Sequence, residues 1–247
     1  MFYAIALTTL DLCVKINIKN VVGEMRRGGV MLKGLWVSVL GDSISTYRGV
    51  SNNGAVRAET ARYPYRYAPP FPVEKTYWHR VCDELGLVLC VNNSYSGGNL
   101  SGRGDPDSGV CRAAALAQDG GGVPDIIIIF MGINDLGRGV DAEVFAADYA
   151  LILDTVGHLY PEAYVCCVNL PDRDPFLHAR AERFNLAIEE AVALAGERFF
   201  VADLFRSRLR DDFYYMNTTD GLHPDEDGMA FIADIVANAI KANVAVD

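Results

Sequence analysis

Residues 126–130 read Ile-Ile-Ile-Ile-Phe, preceded by Asp125 and followed by Met131-Gly132-Ile133-Asn134-Asp135. An apolar run this short, without the alternation of a half-exposed strand, suits a strand covered on both faces. Such strands belong to parallel sheets enclosed by helices. Along the chain, short apolar runs alternate with longer amphipathic segments, which is the pattern of βα units. Strands are expected over 35–40, 87–92, 125–131, 163–169 and 198–202, and helices over 74–85, 107–118, 142–159, 175–195 and 225–241. In the last helix Phe231, Ile232, Ile235, Val236 and Ile240 follow helical spacing, and its acidic start suits the helix dipole. The expectation is an α/β fold on a five-stranded parallel sheet.

At 247 residues the chain fits one domain with a self-sufficient core. Residues 31–247 are read as that domain and 1–30 as a dispensable N-terminal extension. The apolar stretch 2–12 is too short to span a membrane, and it has neither a preceding basic residue nor a clear cleavage site. Residues 46–73 form a Tyr-, Arg-, Asn- and Pro-rich insertion without periodicity, and loops of this length are commonly lids or binding loops.

A formal charge of −10 counts against a nucleic-acid groove and would repel anionic lipid. Neither a nucleic-acid partner nor stable membrane association is expected. The six cysteines show no C-x-x-C pair and no His partners at zinc spacing. They read as buried reduced thiols, and with no signal peptide or disulfide pattern the expected location is cytoplasmic.

In an open parallel sheet, ligands bind beyond the carboxyl ends of the strands. The expected strand ends carry polar clusters: Gly41-Asp42-Ser43-Ile44-Ser45 after the first, Asn93-Ser94-Tyr95-Ser96-Gly97-Gly98 after the second, Gly132-Ile133-Asn134-Asp135 after the third. Asp220-Gly221-Leu222-His223-Pro224 precedes the last helix. Each cluster has a bland explanation: Ser43 as a helix cap, Gly97 and Gly98 as turn residues, Asn134 as a cap and His223 as a helix-start residue.

Taken together and in this order, the clusters resemble the SGNH (GDSL) hydrolase family. Its blocks are G-D-S after strand one, a Gly after strand two, G-x-N-D after strand three and D-x-x-H near the C-terminus. All four occur here, spread from Gly41 to His223. The resemblance implies a three-layer α/β/α sandwich of flavodoxin-like type and an esterase, lipase or acylhydrolase activity. It further implies Ser43 as nucleophile, His223 as base and Asp220 as the group that orients it. Ser43, Gly97 and Asn134 would then form the oxyanion hole, with Gly98 as the alternative to Gly97.

The chemistry needs these residue types. An alcohol is a poor nucleophile until a base removes its proton, and His is suited to that near neutral pH. A carboxylate holds the imidazole in the right tautomer, and preorganised donors meet the oxyanion of the tetrahedral intermediate. Asp42 and Asp135 are read as structural, orienting their loops by hydrogen bonds, and His79, His158 and His178 as bystanders on helices. No G-x-S-x-G elbow, Walker A, H-E-x-x-H or dinucleotide fingerprint is present, so no cofactor and no metal is expected.

Tyr47, Tyr63, Tyr65 and Tyr215 are candidate substrate-binding residues, drawn from the insertion and from the aromatic group before Asp220. Tyr among polar neighbours suits a sugar face or another amphipathic substrate, whereas a lipid tail calls for a continuous aliphatic lining. The expected substrate is a small-molecule or carbohydrate ester with a short acyl chain, such as an O-acetyl group. The same aromatics would equally serve to pack the insertion on the sheet. A lysophospholipase or thioesterase, or a non-catalytic carbohydrate-binding protein on the same fold, are the alternatives.

Overall fold

Five parallel strands, β1 (Trp36–Gly41), β2 (Val88–Ser94), β3 (Ile126–Phe130), β4 (Tyr164–Val168) and β5 (Phe199–Ala202), form one sheet in the order β2-β1-β3-β4-β5. The structure is a computed structural model that describes residues 32–47, 71–172, 174, 176–207 and 217–245. The unit built by these elements is Leu32–Val244. Among the described residues no helix is long and apolar enough to cross a membrane.

The helices are α1 (Tyr77–Leu85), α2 (Gly109–Arg112), α3 (Ile133–Arg138), α4 (Ala142–Leu159), α5 (His178–Ala195) and α6 (Glu226–Asn243). Helix α1 connects β1 to β2 in one direction across the sheet, while α4 and α5 connect β3 to β4 to β5 in the other. Right-handed crossovers therefore put α1 on one face and the α4–α5 pair on the opposite face. Helix α6 packs on α1 and against β4 and β5, completing the three layers.

Every residue of β3 is buried, with Ile126 to Ile129 wholly inaccessible. Each such side chain contributes about 1.5–3 kcal/mol through burial. The apolar run thus holds the centre of the sheet. β3 pairs with β1 over Val37↔Ile126 to Gly41↔Phe130. The connection from β1 runs to β2 and that from β3 runs the opposite way to β4, so the topological switch point falls between β1 and β3, where a ligand crevice is expected.

Helices α4, α5 and α6 match the expected segments to within three residues. Two other expectations are corrected. The expected helix 74–85 is broken: a 3-10 turn, Val73–Lys75, is followed by Thr76 in extended backbone (ψ 149°), whose Oγ1 donates to Val73 O at 2.7 Å. The expected helix 107–118 survives only as α2. Its later carbonyls are taken by side chains from elsewhere. Asn93 Nδ2 donates to Arg112 O and Ala115 O, Tyr160 Oη to Ala114 O, and Ser38 Oγ to Leu116 O. These bonds replace the helical ladder.

Helix α3 was not expected from the sequence. It becomes possible because Gly132 adopts φ +121° and lets the chain turn sharply off β3. A Cβ there would also stand 2.9 Å from Phe145 Cε2. The described cysteines are all free; Cys82, Cys90, Cys166 and Cys167 are buried, as expected of most of them, and Cys111 is exposed. Burial pushes the Cys82 and Cys167 thiols up to about 12, so both stay protonated at neutral pH.

Candidate active site

Just beyond β1 the backbone turns on itself. Asp42 Oδ1 accepts from Ile44 N–H at 3.0 Å, Asp42 O from Ser45 N–H at 3.1 Å, and Ser43 O from Thr46 Oγ1 at 2.9 Å. Neighbouring elements pin the turn: Asn92 Nδ2 donates to Ser45 O at 2.9 Å, and Ser45 Oγ hydrogen-bonds Tyr77 Oη at 2.8 Å. Only glycine fits at 41, because a Cβ would stand 2.4 Å from Ser45 Cβ and 2.7 Å from Ser94 Oγ. The turn presents Ser43 Oγ 2.8 Å from His223 Nε2.

His223 and Asp220 come from a loop closed by its own bonds. Thr219 N donates to His223 O at 2.8 Å, Asp225 N to Asn217 O at 2.9 Å, and Thr218 pairs with Pro224 in an isolated antiparallel bridge. Asp220 Oδ1 accepts the N–H groups of Leu222 and His223 at 3.0 and 2.8 Å, while Oδ2 lies 2.9 Å from His223 Nδ1. The carboxylate therefore fixes the loop and the ring together. With Nδ1–H donating to Asp220, Nε2 carries the lone pair that can receive the Ser43 proton.

A second wall is built after β2 and β3. Asn134 Nδ2 donates to Gly98 O at 2.9 Å, leaving its second N–H available. Gly97 stands at φ +81°, and Gly98 N donates to Tyr95 O at 3.0 Å. Gly98 N–H is thus engaged, whereas among the described residues the N–H groups of Ser43 and Gly97 meet no acceptor. Asp135 locks this wall to the next segment, its two oxygens accepting from Leu100 N at 2.7 Å and Ser101 N at 2.9 Å. Asp42 and Asp135 both hold loops by backbone hydrogen bonds.

Beneath Ser43 lies a buried charge network. Arg112 donates to Gly41 O at 2.9 Å, Asp107 O at 2.9 Å and Asn93 O, gathering the ends of β1 and β2 around one guanidinium. Burial raises the Asp42 carboxyl to about 7, against the opposing pull of the Ile44 N–H and of Arg112. Between about pH 4 and pH 7 the folded protein therefore holds a proton that the unfolded chain has released, and its stability falls as pH rises through that window. Asp42→Asn keeps an acceptor for Ile44 and cannot ionise. Urea unfolding at pH 5 and pH 8 is expected to show a loss on the order of a few kcal/mol in the native protein and little in the variant. An equal pH dependence in both would place the titrating group elsewhere.

Of the aromatic candidates, Tyr47 is half-buried against the core, with its hydroxyl donating to Phe71 O at 3.3 Å. Tyr63, Tyr65 and Tyr215 lie outside the described residues, as do most of the 46–73 insertion and residues 1–30. His79, His158 and His178 lie on α1, α4 and α5, and His178 Nδ1 pairs with Asp172 Oδ2 at 2.6 Å. Among the described residues no cluster of His, Cys, Asp or Glu could hold a metal ion.

Residues 39–231 match the model of the GDSL-like lipase/acylhydrolase family. The chain belongs to that family. It is an SGNH-type hydrolase and, by that membership, a carboxylic ester hydrolase. No curated protein matches its sequence. Among solved structures it is similar to a GDSL-like lipase-type protein from Bacteroides ovatus, at 22% identity and TM-score 0.66, covering 85% of this chain and 99% of that one. A corresponding protein from Bacteroides uniformis matches at 24% identity and TM-score 0.64, covering 85% and 96%. A family 2 carbohydrate esterase with a carbohydrate-binding domain, from Corynascus thermopiles (Myceliophthora fergusii), matches at 19% identity and TM-score 0.61, covering 85% and 66%.

In this GDSL hydrolase the sequence motifs point to Ser43, Asn134, Asp220 and His223 but miss the residues that support them. Arg112 sits between Cys111 and a run of alanines in a segment read as an ordinary helix. Tyr77 and Asn92 carry no motif, and their bonds to Ser45 depend on the fold.

Proposed function

We propose that the hydrolase cleaves carboxylic esters through an acyl-enzyme on Ser43, with short-chain acyl groups, including O-acetyl groups on carbohydrates, as its substrates. The reading rests on one observation: the continuous hydrogen-bonded chain from Asp220 through His223 to Ser43 Oγ, together with Ser43 and Gly97 N–H groups that meet no acceptor among the described residues. His223 Nε2 takes the Ser43 proton as Oγ attacks the ester carbonyl. The oxyanion that forms lies among Ser43 N–H, Gly97 N–H and the second N–H of Asn134 Nδ2. Each such donor is worth about 100- to 1,000-fold in rate. Collapse breaks the bond to the alcohol, which leaves with the proton from His223. Water then attacks the acyl-enzyme with His223 again as base, releasing the acid and restoring Ser43.

The short-chain preference is supported by the Tyr-rich composition of the insertion, including Tyr63 and Tyr65, and of the segment containing Tyr215. Carbohydrate esters are supported by two structural relatives that are family 2 carbohydrate esterases. Two measurements test the reading. A fluorophosphonate is expected to label the native protein once, at Ser43, in the tryptic peptide map. Turnover of 4-nitrophenyl acetate, butyrate, octanoate and decanoate is expected to fall with chain length. Labelling without a preference for short chains would leave a serine hydrolase of the lipolytic type. No labelling of the folded protein would remove the catalytic reading.

A further inference from the structure

Arg138 closes α3, the same short helix that carries Asn134 and Asp135. Its Nη1 donates to Asn99 Oδ1 at 2.5 Å, and Asn99 is itself anchored, its backbone oxygen accepting Gly109 N–H at 2.9 Å. The guanidinium is thereby held beside the loop that carries Gly97. Its Nη2 stands 3.6 Å from the point that a Cβ on residue 97 would occupy. Glycine leaves that space empty, so nothing on residue 97 separates the cation from the expected oxyanion position.

Among the described residues the charge of Arg138 is not spent on a carboxylate. Arg103, Arg198 and Arg206 meet Asp148, Glu162 and the Glu189–Asp203 pair respectively. Among the described residues Arg138 meets no carboxylate, in a chain with 32 acidic and 22 basic residues. An exposed arginine in such a chain has many possible partners, and this one is held by a neutral amide at the mouth of the site instead. Arginine presents a planar fork suited to carboxylate or phosphate oxygens.

The geometry points to Arg138 as a specificity residue that receives an anionic group carried by the ester, a few bonds from the scissile carbonyl. This rests on the serine-hydrolase reading above, because the carbonyl is placed by Ser43 and Gly97. The anion could sit on the acyl or the alcohol side, and the two are told apart by the probes. A carboxylate hydrogen-bonded to this exposed guanidinium, itself steadied by Asn99, is worth about tenfold in kcat/KM.

The test compares the native protein, Arg138→Gln and Arg138→Lys on four esters: 4-nitrophenyl butyrate, 4-nitrophenyl hydrogen succinate, phenyl acetate and 4-acetoxybenzoate. Arg138→Gln is expected to lose about tenfold on one anionic ester and less than about twofold on both neutral ones. Loss on the succinate places the anion on the acyl side, and loss on the acetoxybenzoate places it on the alcohol side. Lysine is expected to restore part of the difference, and ~0.5 M NaCl to shrink it. Equal losses on all four esters would mean that Arg138 merely holds the Asn99 loop, and no loss on any would mean it is idle; both overturn the proposal. If the folded native protein turns over none of the four, the serine-hydrolase reading fails first and this inference falls with it.

Discussion

Ser43→Ala is expected to hydrolyse 4-nitrophenyl acetate about 10,000-fold more slowly than the native protein, with an unchanged Tm. The substitution removes one atom, and the partner of that atom is His223 Nε2 at 2.8 Å. Nothing in the core depends on it, since the Ser43–Thr46 turn is held by backbone oxygens and by the Asp42 carboxylate. What survives is catalysis by the oxyanion donors acting on water. His223→Ala should be crippled to a similar degree, and the double variant hardly more, because nucleophile and base act as a unit. Steady-state kinetics with a urea melt on each variant would check this. Activity within tenfold of native in Ser43→Ala would move the nucleophile elsewhere, and Ser45, hydrogen-bonded to Tyr77, would be examined next.

Asp135→Ala carries the largest expected effect on stability. The side chain is buried, and its two oxygens accept the Leu100 and Ser101 N–H groups. Burial raises its pKa, yet these donors hold the carboxyl in place. Deleting it orphans two buried N–H groups, at about 1–3 kcal/mol each, so a loss of about 2–6 kcal/mol is expected by urea unfolding at pH 7. That is a large share of the roughly 5–15 kcal/mol that holds most domains together. Asp135→Asn keeps one accepting oxygen and turns an amide N–H toward the other donor, so it should lose less. If alanine and asparagine were equally harmless, the loop from Gly97 to Ser101 would owe its position to other contacts.

The strands were legible because each begins as a short apolar run, continuous and wholly buried in β3, and the long helices because their apolar spacing extends over several turns. Ser43, Asn134, Asp220 and His223 were legible as a set because the order of their blocks matches the strand ends. Helix α3 was hidden because it depends on Gly132 at positive φ, which looks in the sequence like any glycine. The collapse of the expected helix at 107–118 was hidden for a different reason. The side chains that claim its carbonyls, Ser38, Asn93 and Tyr160, come from distant parts of the chain, and no local propensity reports them. Arg138 was overlooked because its meaning comes from standing next to Gly97, a neighbour created by folding.

The pairing of β1 with β3 is a gauge as well as a source of cohesion. Gly41 lies opposite Phe130, so Ser43 and Asn134 are set against each other by counting residues outward from that pair. A slip of one position would displace one wall of the site by about 3.3 Å, more than the tolerance of any hydrogen bond. The run of isoleucines therefore sets a distance in the chemistry while touching no reactant. A change inside β3 that left the fold intact but loosened its alignment would act as a catalytic lesion from the middle of the core.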